Sequence, residues 1–376
     1  MKKIFWIAGE KSGDLHSSIV LKELQLQNKE YQHVGIGGPL MRKFGLKPMF
    51  PFDRFAVMGF IEVVKHLFFF VNVEKKIRQL FRENPPDLVV LVDYPGLNMR
   101  IAQQASKLGI PVLYFISPQF WAWKFKRIFK LKKLTDHLAY ILPFEGKYFD
   151  KFGVKSTYVG HPIAQEIEIK INKKEFAEKY NIDSTKQWIV FLPGSRDNEL
   201  KKLLPQYLAA IKELDNGNFE FLISRANSVS ESLFNDIIKK SGISNCKVIH
   251  DNNYEMMKHT DILVVTSGTA TLETAYIGTP FIIAYKTSKI SYELGKRFIK
   301  IDRIGLPNIV LDKDIVPELI QNEVNGKSIS KNILAILSSE TKYNQIKKEL
   351  QNLHDILGSK KTSEEMVKLI EEMLNE

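Results

Sequence analysis

Four short stretches of this sequence carry side chains spaced for chemistry on phosphates and hydroxyls. The first is "AGEKSGDLH", residues 8–16. Gly9 and Gly13 allow a tight turn, and Ser12 or Asp14 can cap a following helix whose free N–H groups attract anions. His16 completes the stretch at a strand end; Ser12 and His16 are candidates there for catalysis, Gly9 and Gly13 for substrate contact. The glycine spacing is not G-x-G-x-x-G, and an ordinary capped turn is the competing reading. The second is "LPGSRDNEL", residues 192–200. Pro193 and Gly194 make the turn, Ser195 can cap a helix, and Arg196 stands where its planar fork can grip a phosphate. Alternatively Arg196 is a surface arginine paired with Glu199 or Asp197. The third is "VVTSGTATLETAYIGTPFI", residues 264–282, in which Ser267, Gly268, Thr269, Ala270 and Thr271 let the backbone approach a diphosphate at a helix start. Glu273, one turn in, can accept hydrogen bonds from ribose hydroxyls or close a capping box. G-x-x-x-x-G-K-[ST] is absent there, which disfavours a P-loop ATPase. The fourth is "LVVLVDYPGLNMRIA", in which Asp93 follows an apolar run, with Asn98 and Arg100 close by. A carboxylate there can act as base toward a substrate hydroxyl, or it can be a turn or N-cap residue.

Other stretches point to surfaces. "ISPQFWAWKFKRIFKLKKLTDH" carries six basic residues between Lys124 and Lys133, interleaved with Trp121, Trp123, Phe125 and Phe129. Aromatic and basic residues together suit an anionic lipid interface or a substrate phosphate, against the plainer reading of a solvated helix face. Leu67, Phe68, Phe69, Phe70 and Val71 form an apolar run that reads equally as a core helix or as an acyl and membrane contact. His161 of "YVGHPI" is a strand-end or hinge histidine. No pair of histidines has H-E-x-x-H spacing, and Asp312-Lys313-Asp314, a D-x-D match, reads as a solvated loop; no metal site is expected.

These turns need strands and helices to hold them. Apolar runs at Ile4–Ala8, Val34–Gly37, Leu88–Val92, Val112–Ile116, Leu138–Leu142 and Thr157–Val159 read as buried strands. So do Trp188–Leu192, Phe219–Ile223, Lys247–His250, Ile262–Thr266 and Phe281–Ala284. Near-continuous apolar character, alternating with helical patterns, predicts parallel sheets covered on both faces. A chain of 376 residues suits two domains. The boundary is expected near 165, at Pro162 and the charged run after it. The expectation is an α/β chain of two Rossmann-like domains facing a cleft: 1–165, 166–340, then a polar helical tail, 341–376, able to pack back on the first domain. Ligands in such sheets sit beyond the carboxyl ends of the strands.

The bulk numbers agree with a globular protein that meets anions. Net charge is +11, and 44% of residues are hydrophobic. The single Cys246 excludes an internal disulfide and a multi-cysteine zinc site. Lys2 and Lys3 precede an apolar stretch of about five residues, short of the ~7–15 of a signal-peptide core.

The motifs together resemble the lipid-A-disaccharide synthase family, glycosyltransferases of the two-Rossmann, GT-B kind. The resemblance runs from "AGEKSGDLH" through "AVMGFIEVVKHL", "ISPQFWAW", "ILPFE", "VGHPI", "LPGSR" and "SGTATLE" to "GLPNIVLDKDIVPELIQ". It implies a UDP-2,3-diacylglucosamine donor and a 2,3-diacylglucosamine 1-phosphate acceptor. The products would be a β-1',6-linked disaccharide 1-phosphate and UDP. It also implies an inverting reaction with neither metal nor cofactor, at the cytoplasmic face of an anionic inner membrane, with no nucleic acid; an oligomer is left open. The resemblance implies that Asp93 is the catalytic base. Arg196 and Ser267–Glu273 match its UDP side, Ser12 a turn serine near the reacting groups, and Asn308 a further active-site position. The family's D-x-P-D-F-N reads here as Asp93-Tyr94-Pro95-Gly96-Leu97-Asn98, without the second carboxylate. The alternatives are a UDP-sugar epimerase, another GT-B transferase, or a basic nucleic-acid-binding protein.

Overall fold

The computed structural model describes residues 1–55, 67–123, 125–250, 253–288, 292–293 and 303–375. Residues 56–66, which carry most of the "AVMGFIEVVKHL" motif, and the side chains of Leu67 and Trp123 lie outside the described residues. The chain forms two compact units, Met1–Gln165 with Leu357–Glu376, and Glu166–Ile356.

The first unit holds a seven-stranded parallel sheet in the order β3-β2-β1-β4-β5-β6-β7. Its strands are β1 (Lys3–Ala8), β2 (Gln32–Ile36), β3 (Lys47–Pro48), β4 (Leu88–Val92), β5 (Val112–Phe115), β6 (His137–Tyr140) and β7 (Ser156–Tyr158). The second unit holds a six-stranded parallel sheet in the order β10-β9-β8-β11-β12-β13. Its strands are β8 (Gln187–Leu192), β9 (Phe219–Ser224), β10 (Cys246–Ile249), β11 (Ile262–Thr266), β12 (Phe281–Tyr285) and β13 (Glu318–Ile320).

The central strands are apolar along their whole length because helices cover both faces of each sheet. Ile4 to Ala8 and Leu88 to Leu91 are fully buried. Below them lies a core of Phe5, Ile7, Val89, Leu91 and Tyr114, joined by Phe70, Val73, Ile77 and Phe81 of the Leu67–Glu83 helix. Burying each of these phenylalanines contributes about 1.5–3 kcal/mol. The Leu67–Val71 run therefore divides between two roles. Phe70 is core and Phe69 is half-buried against Phe55, with ring centroids 5.1 Å apart, whereas Phe68 and Val71 are exposed.

The stretch expected as one C-terminal tail is two helices with different homes. Glu340–Leu357 belongs almost wholly to the second unit: the His354 ring stacks on Tyr276 at 4.2 Å, and Tyr343 Oη donates to the Asp261 carbonyl at 3.0 Å. Thr362–Asn375 belongs to the first unit and lies along α1 (Lys11–Leu26), where Glu371 pairs with Lys29 and Ser363 Oγ donates to Glu23.

Candidate active site

A parallel sheet opens a crevice where the strand order reverses, because the loops on either side leave in opposite directions. In the first sheet that point lies between β1 and β4, paired with Ala8 opposite Val92. The turns that follow are Gly9-Glu10 and Asp93-Tyr94. In the second sheet it lies between β8 and β11, and the turns that follow are Pro193-Gly194-Ser195 and Ser267-Gly268. All four stretches singled out in the sequence start at these two points.

In the first unit α1 starts at Lys11, and its cap residue Glu10 makes no side-chain cap bond. Neither Ser12 nor Asp14 caps it. Ser12 is a half-buried residue of the first turn. Asp14 instead holds another helix: Oδ1 accepts from the Gly38 and Met41 N–H groups at 2.8 and 3.0 Å, and Oδ2 from Leu40 N–H at 3.1 Å. Those donors open α2 (Pro39–Lys43), a negative group at the positive end of its dipole. Gly13 packs against Ala8, and His16 is buried, its ring edge-on to His161 with centroids 6.4 Å apart. His161 Nδ1 accepts from Ile163 N–H, and burial with His16 alongside pushes the His161 imidazole down to about 3. His161 is thus a buried, neutral imidazole.

Asp93 is half-buried at the end of β4. Burial, and then Glu10, push its carboxyl up to about 6, with His16 and Arg127 working against them. A carboxylate in that range is ionised at neutral pH and basic enough to take a hydroxyl proton. Asp93 and Tyr94 both have left-handed backbones, φ 43° and 45°, which costs about 1–3 kcal/mol for each non-glycine residue. Arg100 pairs with Glu74 at 3.5 Å.

A second carboxylate, without a role in the sequence expectations, closes the short Pro143–Glu145 helix that follows β6. Glu145 is buried, and its Oε1 accepts from Ser117 Oγ at 2.5 Å and from Trp121 Nε1 at 3.0 Å. Burial raises its carboxyl to about 7, against the pull of those two donors, and the charge of Asp93 adds to the rise. Trp121 therefore points inward, edge-on to Phe144 at 4.9 Å, and is not offered to lipid. No local pattern in the sequence marks Glu145, because its donors Ser117 and Trp121 come from a distant stretch of the chain.

In the second unit a pocket of about 710 Å³ gathers Gly194, Ser195, Arg196, Ser267, Gly268, Thr269, Ala270 and Glu273, with Tyr254 and Lys170. Gly194 has φ +100°, and a Cβ on it would clash with the Glu199 carboxylate. That carboxylate accepts from Ser195 N–H at 3.1 Å and from Arg196 Nη1 at 2.8 Å. So Ser195 does not cap the next helix, Asp197–Leu214, whose cap residue is Arg196. The Arg196–Glu199 pair weighed from the sequence is present, yet Arg196 stays 56% exposed at the pocket wall. Glu273 makes no capping box: the cap of Thr269–Ile277 is Gly268, and Glu273 accepts from Tyr254 Oη at 3.5 Å. The residues that open this helix, Gly268, Thr269 and Ala270, line the pocket, and the first N–H groups of a helix have no partner within it.

Thr271 and Asn308 do not join the pocket. Thr271 is buried, and its Oγ1 donates to the Gly268 carbonyl at 2.7 Å. Asn308 is buried under a separate groove, its amide bonded to Ile315, Val316 and Glu318. Asp312 and Asp314 both accept from the Arg303 guanidinium at 2.6 Å. Among the described residues no group of three or more His, Cys, Asp or Glu is placed to hold a metal ion.

Two Rossmann-like parallel sheets in one chain define the GT-B class of fold, shared by sugar-nucleotide transferases and epimerases. Among solved structures, the UDP-GlcNAc 2-epimerase of Neisseria meningitidis bound to UDP-GlcNAc aligns over 100% of both chains at TM-score 0.66 and 14% identity. The kitacinnamycin glycosyltransferase aligns over 99% of both at TM-score 0.68 and 12% identity. At the level of sequence, the family model for lipid-A-disaccharide synthetase matches residues 4–373. The lipid-A-disaccharide synthase of Trichlorobacter lovleyi is 34% identical over 100% of this chain and 98% of its own. That of Syntrophus aciditrophicus is 37% identical over 95% and 94%. This chain belongs to the lipid-A-disaccharide synthetase family and is a glycosyltransferase.

Proposed function

We propose that the chain transfers a diacylglucosaminyl group from UDP-2,3-diacylglucosamine to 2,3-diacylglucosamine 1-phosphate, with inversion and release of UDP. The acceptor hydroxyl oxygen attacks the anomeric carbon, the bond from that carbon to UDP breaks, and the hydroxyl proton passes to Asp93. What supports this assignment is the Asp93 carboxyl, raised to about 6 at the end of a buried strand. The UDP side falls to the second unit. Arg196 and the N–H groups that open Thr269–Ile277 take the diphosphate, and Glu273 takes the ribose hydroxyls. The single observation that carries this half is the pocket that collects these groups at the switch point of the second sheet. Departing negative charge is stabilised by fixed donors aimed at it, in the manner of an oxyanion hole. Ser12 and His16 of α1, the helix that follows the β1 turn, are assigned to the acceptor side together with Gly9 and Gly13; the His16 ring is near enough to act on the Asp93 carboxyl.

Among the described residues no helix is long and apolar enough to cross a membrane. We assign the enzyme to the cytoplasmic face of the inner membrane, held peripherally. The support is the exposure of Phe68, Val71 and Phe129 on a unit that also carries Lys126, Lys130, Lys132 and Lys133. Apolar rings with basic neighbours suit the boundary of an anionic bilayer. The deciding experiment incubates the purified protein with both diacylglucosamine substrates and follows UDP. Stoichiometric UDP and disaccharide phosphate are expected; UDP release without disaccharide, or neither product from folded protein, removes the reading.

A further inference from the structure

The peptide after β4 is held by more groups than a turn requires. Asp93 N–H donates to the Phe115 carbonyl at 3.0 Å, which continues the ladder one residue past the strand. The Asp93 carbonyl then receives two donors at once, Tyr114 Oη and Asn98 Nδ2, each at 2.6 Å. Asn98 Nδ2 also reaches the Val92 carbonyl at 3.1 Å. Both side chains are fully buried, and they come from different elements: Tyr114 from β5, Asn98 from the Pro95–Lys107 helix.

Buried side-chain donors thus take both lone pairs of this carbonyl, which belongs to the first of two consecutive left-handed residues. Left-handed backbone at Asp93 and Tyr94 persists only if the surroundings over-determine it. The turn sends the Asp93 side chain in a direction that extended backbone would not, since moving φ from negative to positive swings Cβ to another side of the chain. We infer that Asn98 and Tyr114 are positioning residues: together they clamp the Asp93 carbonyl, lock the Asp93–Tyr94 turn in its left-handed form, and so aim the Asp93 carboxylate. This rests on the reading of Asp93 as the base. It gives Asn98 a role although neither of its polar groups need touch a substrate. Removing one donor lets the turn sample extended backbone, and the carboxylate then loses its aim in part of the population.

Tyr114→Phe keeps the buried ring and deletes only the hydroxyl; Asn98→Ser is the companion variant. Each is assayed beside the parent and beside Asp93→Ala. The clamp predicts kcat lowered about 10–100-fold in Tyr114→Phe and Asn98→Ser, donor and acceptor KM within about twofold, and UDP affinity unchanged by calorimetry. It also predicts that the acid limb of the pH–rate profile shifts in both variants, because the carboxylate sits in a new environment. If Tyr114→Phe keeps the parental kcat and limb while Asp93→Ala is inactive, the clamp is wrong and the base assignment survives. If Asp93→Ala keeps the parental rate, the base assignment has failed and the clamp fails with it. Loss of kcat together with loss of UDP affinity would mark the hydroxyl as a general structural support and overturn the positioning role. Should Asn98→Ser not fold, Tyr114→Phe decides alone.

Discussion

The ring of Tyr94 lies against the backbone of Gly9 so closely that a Cβ on Gly9 would stand 2.9 Å from Tyr94 Cδ1. The two residues follow β1 and β4, so the contact closes the switch point of the first sheet. The same Tyr94 donates from Oη to the Phe55 carbonyl at 3.2 Å, so the ring has little room to retreat. Gly9→Ala is therefore expected to push Tyr94, and Asp93 before it, out of place. Transfer should slow at least tenfold while UDP affinity stays within twofold, and the overpacking should destabilise the fold by about 1–3 kcal/mol. Steady-state kinetics and a thermal melt check this together.

Asp93, with its carboxyl raised to about 6, must be ionised to accept a proton. Activity should be level above about pH 7 and fall as pH drops through 6, by about tenfold per pH unit once below it. Asp93→Asn should lower the plateau about 10²–10⁴-fold and abolish that limb. A limb that persists unchanged in Asp93→Asn assigns the titration to another group.

Arg196 forms one wall of the pocket while sharing a carboxylate with Ser195. Arg196→Ala should weaken UDP binding about 10–100-fold, the range for a lost charge-assisted hydrogen bond. Arg196→Lys should recover only part of this, because a point charge cannot bind bidentately. Calorimetry with UDP alone separates the effect from chemistry.

Glu145 is buried with its carboxyl raised from 4.5 to about 7. A raised folded-state value means the native protein binds more protons than the unfolded chain between those two values. Stability from this group therefore falls as pH rises through the window and is lowest above about 7. Glu145→Gln keeps an acceptor for Ser117 and Trp121 without the buried charge. It should stabilise the first unit by on the order of 2–3 kcal/mol at pH 8 and by almost nothing at pH 5. Melts of parent and variant at the two pH values test the sign.

Phe68 and Phe129 are 88% and 53% exposed. Replacing both with Ser should lower sedimentation with phosphatidylglycerol vesicles several-fold, and salt should weaken what remains by screening the lysines. Turnover of short-chain, detergent-dispersed substrates should not change. Equal sedimentation of parent and double variant at low salt would remove these rings from the lipid contact.

The two sheets were legible because their central strands are apolar throughout, as in "LVVLV" and "ILVVT". The edge strands Lys47–Pro48 and Glu318–Ile320 were not, since two or three residues at a sheet border bury too little to leave a pattern. Turns that bind through their backbone could be found, because small residues at a strand end announce them. Roles that depend on folding distant residues together could not. Asp14 looked like a local cap but holds a helix that starts 25 residues later, and Glu145 is buried beneath Ser117 and Trp121, its hydrogen-bond donors 28 and 24 residues away. Asn308 looked like a substrate ligand, but its amide is spent on the backbone of its own loop.

The pairing of the Thr362–Asn375 helix with α1 bears on how the protein is made. Lys2 Nζ donates to the Leu374 carbonyl, so the opening of the first sheet is fastened by nearly the last residues of the described chain. Domains usually mature on the ribosome from the N-terminus onward. Here the order is inverted: the second unit has all its residues once Ile356 emerges, whereas the first unit, begun earliest, must wait unfinished for its final helix. During that interval the face of α1 that receives the helix has no partner and is exposed to water.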